Sequence, residues 1–121
     1  MLRLTLIFFL ISCTLSAQDN SAQDKNKNQT ILVEGNCQMC QKRIEKAAIK
    51  VKGVKYASWD IATNQLTLIY NEGKTDLDRI QLAIAKVGHD TKKYKAKEAS
   101  YQNLPPCCLY RDPTTKEMDH H

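Results

Sequence analysis

The sequence predicts an α+β domain over residues 30–94, with the element order strand, helix, strand, strand, helix, strand. Three observations predict it. Apolar residues recur at helical spacing in two stretches, Ile44, Ala47, Ala48 and Val51 in the first and Leu77, Ile80, Ile84 and Val87 in the second. Between these stretches, two alternating runs flank the turn-forming Ala62-Thr63-Asn64. Each helical stretch ends at a glycine, Gly53 after Lys52 and Gly88 after Val87.

Taken in order, residues 30–34 form a short strand with Ile31 and Val33 on one face. A helix over residues 41–51 carries Lys42, Arg43, Lys46 and Lys50 off its apolar stripe. Residues 54–61, which hold Tyr56 and Trp59, form the second strand. Residues 65–70, with Leu66, Leu68 and Tyr70 on one face, form the third and close a hairpin. After the loop Asn71-Glu72-Gly73-Lys74, Thr75 caps the second helix, and Asp76 and Asp78 complement the dipole in its first turn. Residues 89–94 make a weaker, polar strand at a sheet edge. This is the split β-α-β order of the ferredoxin-like fold, with two helices on one face of a four-stranded antiparallel sheet. So small a core predicts marginal stability, to which a bound metal adds.

The flanks read differently. Residues 1–17 have the pattern of an export signal: Arg3, an apolar run over residues 4–11, then Ser12, Ser16 and Ala17. The run is too short to span a bilayer, which takes roughly 20 apolar residues. Two processing routes fit. One cuts near Ala17-Gln18. The other uses Leu10-Ile11-Ser12-Cys13, which resembles a bacterial lipoprotein box and makes Cys13 a lipidated N-terminus. Either route implies a bacterial cell envelope, most simply the periplasm, with a membrane anchor only through Cys13. Residues 18–29 are polar and read as a disordered spacer. Loss of residues 1–17 leaves 17 basic against 13 acidic side chains. Export, and the lack of basic runs interleaved with aromatics, exclude nucleic acid as the partner of that mild positive balance.

The chemistry gathers at Gly35-Asn36-Cys37-Gln38-Met39-Cys40, between the first strand and the first helix. Gly35 is expected to turn the chain sharply there. The amides and dipole of a helix N-terminus, with Lys42 and Arg43 nearby, favour a thiolate at Cys40 and Cys37. Two thiolates in a C-x-x-C spacing clamp a soft, low-coordinate ion such as Cu(I) or Hg(II). The same spacing also serves a stapling disulfide or thiol-disulfide exchange. Residues 30–94 are too short, and their strand order is wrong, for a thioredoxin-like exchanger, so the metal reading is favoured.

A second thiol pair stands in the tail, residues 95–121, where a polar linker over 95–102 leads to Pro105-Pro106-Cys107-Cys108. Neighbouring Cα atoms lie about 3.8 Å apart, whereas ordinary disulfides span roughly 4.4–6.8 Å. A Cys107–Cys108 bond is therefore strained. Three readings stay open: metal ligation, either folding back to complete a four-thiolate site with Cys37 and Cys40 or forming a site of their own; a redox cross-link to Cys37 or Cys40; and a bridge to another chain. Metal ligation is favoured. His89 is either a third ligand or a donor that tunes the thiolates, or a surface histidine opening the edge strand. Met39 packs or faces solvent. Met118, His120 and His121 are further ligand types at a chain end that must be ordered to bind.

Residues 30–94 resemble the heavy-metal-associated domain of soft-metal chaperones and metal-pumping ATPases. The match rests on Val33-Glu34-Gly35 before Cys37-Gln38-Met39-Cys40, on Lys52-Gly53-Val54, and on Val87-Gly88-His89. With the export signal it is similar to periplasmic proteins of the mercury-transport or copper-chaperone type. The family's usual Met before the first Cys is missing here, and His89 stands where Tyr or Phe is common. The resemblance implies metal binding by Cys37 and Cys40, relay to a metal transporter or metal-accepting envelope protein, and no substrate turnover. The expected cargo is Cu(I), with Hg(II), Zn(II) and Cd(II) compatible with the same ligands. The chain is expected as a monomer or a metal-bridged dimer. The competing functions are a thiol-disulfide redox protein using Cys37 and Cys40, and a metal-sensing interaction module of a transporter.

Overall fold

The computed structural model describes residues 25–117. The signal pattern with Cys13, residues 18–24 of the spacer, and Met118, His120 and His121 lie outside the described residues. Strand β1 (Asn26–Leu32) leads to helix α1 (Gln38–Ile49), the hairpin β2 (Val54–Trp59) and β3 (Gln65–Asn71), helix α2 (Leu77–Lys86) and a short helix α3 (Glu98–Gln102). Two 3-10 turns, Pro106–Cys108 and Pro113–Glu117, follow. The sheet is antiparallel, in the order β1-β3-β2. Among the described residues, no helix is long and apolar enough to cross a membrane.

The alternating pattern of β3 decides which way the sheet faces. Leu66, Leu68 and Tyr70 are buried, and Ile31 and Trp59 pair with Leu66 in the register of the neighbouring strands. Ile44 and Ala48 of α1 and Ile80 and Ile84 of α2 share that core. β1 begins earlier than its apolar residues indicate. Asn26 to Gln29 were expected in a disordered spacer, yet they pair with Asn71 to Leu68 of β3, and Lys27 meets Glu72 at 3.2 Å. Backbone pairing to a formed strand orders a polar segment that has no core of its own to make.

Three further expectations are corrected. The fourth strand is reduced to a single bridge, Val33 to Thr91, with the Glu34 amide donating to the Asp90 carbonyl at 2.9 Å. The chain turns there because Thr91 and Tyr94 bond each other: the Thr91 amide reaches the Tyr94 carbonyl at 2.8 Å, and the Tyr94 amide reaches the Thr91 hydroxyl at 3.0 Å. These local bonds compete with a sheet ladder and win. The cap of α2 is Asp76, whose carboxylate accepts from the Arg79 amide at 2.8 Å. Thr75 sits one residue earlier, with its hydroxyl buried and unpartnered among the described residues. Gly35 is not in the left-handed region. It is required for closeness instead, since a Cβ there would stand 2.9 Å from the Trp59 ring and 3.1 Å from the Cys40 Cβ.

The tail packs onto the domain. Tyr101, Leu104, Cys108 and Tyr110 are buried in the same core as α1 and β3. Gly88, at φ +108°, lets the chain pass under this tail, because a Cβ there would meet the Ser100 carbonyl at 2.8 Å and Leu104 at 2.9 Å. The segment expected as a polar linker, residues 95–102, therefore carries α3 and sends Tyr101 into the core.

Candidate metal centre

α1 begins at Gln38, three residues earlier than its apolar stripe indicates, because Cys37 is its N-cap. The Cys37 backbone is extended, at φ −147° and ψ 169°, and its sulfur accepts from the Cys40 amide at 3.3 Å. One helical turn then sets Cys40 beside Cys37, with the two Sγ atoms 3.0 Å apart. The third sulfur comes from the tail: Cys108 Sγ lies 2.9 Å from Cys37 Sγ. Cys37, Cys40 and Cys108 are all buried, with their ligand atoms within 4.8 Å of one another. Cys107 stands at the rim, half-buried, 3.5 Å from Cys37 Sγ and 3.8 Å from Cys108 Sγ. All four thiols are free. The tail pair folds back onto Cys37 and Cys40, a placement common to the metal-ligand and redox cross-link readings, and of the four thiols expected together Cys107 stays outside the group of three.

Polar contacts hold this cluster. The Cys40 thiol donates to Asn36 Oδ1 at 3.5 Å, and Asn36 Nδ2 donates to the Thr115 hydroxyl at 2.8 Å. Arg43 Nη1 reaches Cys108 Sγ at 3.5 Å. Trp59 floors the site under Gly35, and its indole N–H is held by the Val33 carbonyl at 3.0 Å. The tail itself is clamped two and three residues past Cys108, at Tyr110 and Arg111. The Tyr110 hydroxyl donates to the Gly88 carbonyl at 2.7 Å and accepts from the Asp90 amide at 2.9 Å. Arg111 grips Asp90 through Nη2 at 2.8 Å and Nε at 3.2 Å, and Glu98 through Nη1 at 3.0 Å. Sequence reasoning named Arg43 as nearby positive charge favouring the thiolates and gave no role to Asn36, Thr115, Tyr110 or Arg111. Nothing local in the sequence marks the last three, since each acts through the folded tail, and Asn36 joins them through Thr115.

The thiolate expected at Cys37 is a thiol in the metal-free protein. Burial pushes the Cys37 thiol up to about 11, and its hydrogen bond with Cys108 adds to this. Its contacts with the Cys40 thiol and amide act in the opposite sense and are outweighed. The Cys108 thiol is also raised, by its contact with Cys40 and by burial, against the pull of Cys37 and Arg43. Helix-terminal amides still lower the thiol pKa, but loss of water around the sulfur outweighs them.

His89 is neither of the things expected of it. It is fully buried, and no metal-ligand group among the described residues includes it. Its Nδ1 lies 2.8 Å from the Glu34 carbonyl, which only accepts, so Nδ1 carries the proton. Nε2 is buried without a partner among the described residues, and the ring stacks on Tyr110 at 5.5 Å. Burial lowers its pKa to about 4, with Arg43 acting in the same sense. It is a neutral core histidine under the tail.

The donor set suits a soft cargo ion. Three thiols converge with no carboxylate among them, which matches Cu(I), Hg(II) or a thiolate-bound Zn(II). Sulfurs held about 2.3 Å from one tetrahedral ion stand roughly 3.8 Å apart, so the Cys37–Cys40 and Cys37–Cys108 pairs, at 3.0 and 2.9 Å, must each open by less than about 1 Å to admit an ion.

Comparison with known proteins covers the part of this centre that lies in residues 30–90. The heavy-metal-associated domain profile matches residues 30–90, which include Cys37 and Cys40 and stop short of the tail thiols. The copper chaperone CopZ of Staphylococcus haemolyticus (strain JCSC1435) is 35% identical over 66 residues, 54% of this chain and 97% of that protein. The copper-exporting P-type ATPase of the same strain is 37% identical over 62 residues, but the match spans only 8% of its length and 51% of this chain. Among solved structures, a CopZ metallochaperone superposes with a TM-score of 0.52 at 26% identity, covering 54% of this chain and 98% of that one. The Cu(I)-loaded N-terminal domain of a potential copper-translocating P-type ATPase from Bacillus subtilis gives 0.53 at 29% identity, covering 55% and 85%. With half of the chain matched by the profile and nearly all of the chaperone matched in turn, this chain belongs to the heavy-metal-associated domain family.

Proposed function

We propose that this protein binds one Cu(I) ion through Cys37, Cys40 and Cys108 and passes it to a metal transporter or another metal-accepting protein of the cell envelope. The observation that carries the reading is the convergence of three buried sulfurs within 4.8 Å, in a chain whose relatives include a copper chaperone. Hg(II), Zn(II) and Cd(II) accept the same donors, and a third thiolate favours an ion content with three-coordinate sulfur. The envelope location rests on the sequence pattern of residues 1–17. Cys108 supplies within one chain what a second copy would supply in a metal-bridged dimer, so the reading is of a monomer. No substrate turnover is assigned. The rival of thiol-disulfide exchange is disfavoured by the burial of Cys37 and Cys40, which present no exposed sulfur to a disulfide substrate.

The test is an anaerobic titration of the reduced full chain with Cu(I), Hg(II) and Zn(II) against competing chelators. The expected result is one tight Cu(I) per chain. Cys37→Ser is expected to abolish tight binding, and Cys108→Ser to weaken it by about tenfold or more. If no ion of the three binds tightly, the metal reading fails and the redox reading takes its place.

A further inference from the structure

The three sulfurs that would hold the ion are the least reachable thiols of the centre. Cys40 and Cys108 are 0% exposed and Cys37 is 3% exposed. Metal relay by thiolate exchange needs a partner's sulfur to touch the ion, and these three leave it nothing to touch. Two other sulfurs stand outside them in a line. Met39 is 49% exposed, and its Sδ lies 3.6 Å from Cys107 Sγ. Cys107 is half-buried, and its Sγ lies 3.5 Å from Cys37 Sγ. The sulfurs thus run from an exposed thioether through a rim thiol to the buried trio.

The local structure makes this arrangement a consequence of the Cys-Cys pair. In a 3-10 turn, three residues complete one revolution, so neighbouring side chains diverge by about 120°. The turn Pro106–Cys108 is closed by the Cys108 amide on the Pro105 carbonyl at 2.8 Å. It therefore sends Cys108 inward and Cys107 to the rim. On the other side, α1 buries Cys40 and leaves Met39, one residue earlier, facing out. Neither Met39 nor Cys107 is needed for the trio, and both are soft donors.

We propose that Met39 and Cys107 form the transfer port of this protein, where a soft monovalent ion is exchanged with the sulfur ligands of its partner. This rests on the reading of Cys37, Cys40 and Cys108 as the holding site. On loading, the Met39 thioether and the Cys107 sulfur bond the ion as the donor's thiolates release it. The Cys107 thiol gives its proton to one departing donor thiolate. The metal–sulfur bond to Cys107 then breaks as the bond to Cys37 forms, and the Cys37 proton passes to Cys107. The bond to the uncharged Met39 thioether breaks as the bond to Cys40 forms, and the Cys40 proton goes through water to the second donor thiolate. The bond to Cys108 completes the three-coordinate site, and its proton is released to water. Five metal–sulfur bonds form and four break, so an ion two-coordinate on the donor becomes three-coordinate here, and it keeps its oxidation state throughout. Unloading is the same sequence reversed, begun by a partner's sulfur at Cys107.

The test separates holding from transfer. Cu(I) affinity is measured by chelator competition, and the transfer rate by stopped flow to a peptide acceptor carrying two thiols. Both use the reduced full chain and its Met39→Leu, Cys107→Ser and Cys108→Ser variants. Met39→Leu and Cys107→Ser are expected to slow transfer about tenfold each while changing affinity less than about threefold. Cys108→Ser is expected to weaken affinity. Transfer at the unaltered rate in both port variants overturns the port. So does a loss of affinity in Cys107→Ser as large as in Cys108→Ser, because Cys107 would then be a holding ligand. Limited alkylation of the metal-free protein gives a second measurement. The first modified thiol is expected to be Cys107, and first modification at Cys37 overturns the assignment. Should the unaltered chain bind no Cu(I), the holding site falls and the port with it, a result distinct from tight binding with unaltered transfer.

Discussion

At the scale of single residues, burial outweighs the local chemistry that the sequence advertises. Cys37 caps a helix and receives an amide, yet its thiol is raised rather than lowered, because its sulfur has left water. His89 follows the same logic with the opposite charge type. Its neutral form is the buried one, facing Glu34, Tyr110, Arg43 and Asp90. An unfolded histidine titrates near 6.5 and this one near 4. Between those values the unfolded chain binds a proton that the folded chain does not, so stability is full above 6.5 and falls as the pH drops towards 4. Metal-free protein is expected to lose about 3 kcal/mol across that window, read from urea midpoints. His89→Phe keeps a ring against Tyr110 and removes the titration, so its midpoint is expected to stay flat there. A slope equal to the parent's would assign the effect to other groups.

At the scale of elements, the decisive one is the tail from α3 to Thr115. It is held by few but well-placed contacts. Asp90 is the keystone: burial pushes its carboxyl up, but the Arg111 fork and the Ala96 amide at 2.7 Å bring it below the ordinary carboxylate value. Arg111 also lies over the Tyr101 ring at 4.2 Å. Arg111→Ala removes the fork and the ring contact together and is expected to cost about 2 kcal/mol of tail docking. Amide hydrogen exchange across residues 98–115 checks this: faster exchange there, with α1 and β3 unchanged, is the expected result. Because Cys108 travels with the tail, Cu(I) affinity is expected to fall in parallel, towards that of Cys108→Ser. Loosened exchange with unaltered affinity would mean that Cys108 does not hold the ion.

At the scale of the whole molecule, the metal centre lies at the N-terminal end of α1, whose exposed side carries Lys42 and Lys46, with Lys50 capping its far end. Arg43, on the same helix, is turned inward to Cys108. The outward lysines form a positive field beside the port and favour encounter with an acidic partner surface. Exposed charges are screened over about 8–10 Å at ordinary salt. Transfer to an acidic acceptor is therefore expected to slow several-fold as salt rises from about 0.05 to 0.5 M, with equilibrium affinity little changed. A rate independent of salt would exclude steering by this face. Loading also bears on stability, since an ion that binds only the folded chain adds roughly 2.7 kcal/mol at a hundredfold excess over its dissociation constant.

The amino-acid sequence by itself determined the parts of this protein whose information is local. The alternation of Leu66, Leu68 and Tyr70 and the helical spacing of Ile80 and Ile84 were enough to place β3 and α2, because period alone says which face is buried. Cys37 and Cys40 were legible as a site, because a single helical turn brings the two sulfurs together. Tertiary structure alone decided the rest. Asn26 to Gln29 are strand only because β3 lies beside them, and residues 89–94 fail as a strand because Thr91 and Tyr94 satisfy each other. Cys108 reaches Cys37 across 71 positions of chain, through a clamp of Tyr110 and Arg111 on residues just past α2. No periodicity encodes that contact. It exists because the open side of a small core, left without a fourth strand, is covered by the tail, and the tail delivers its thiol as it closes.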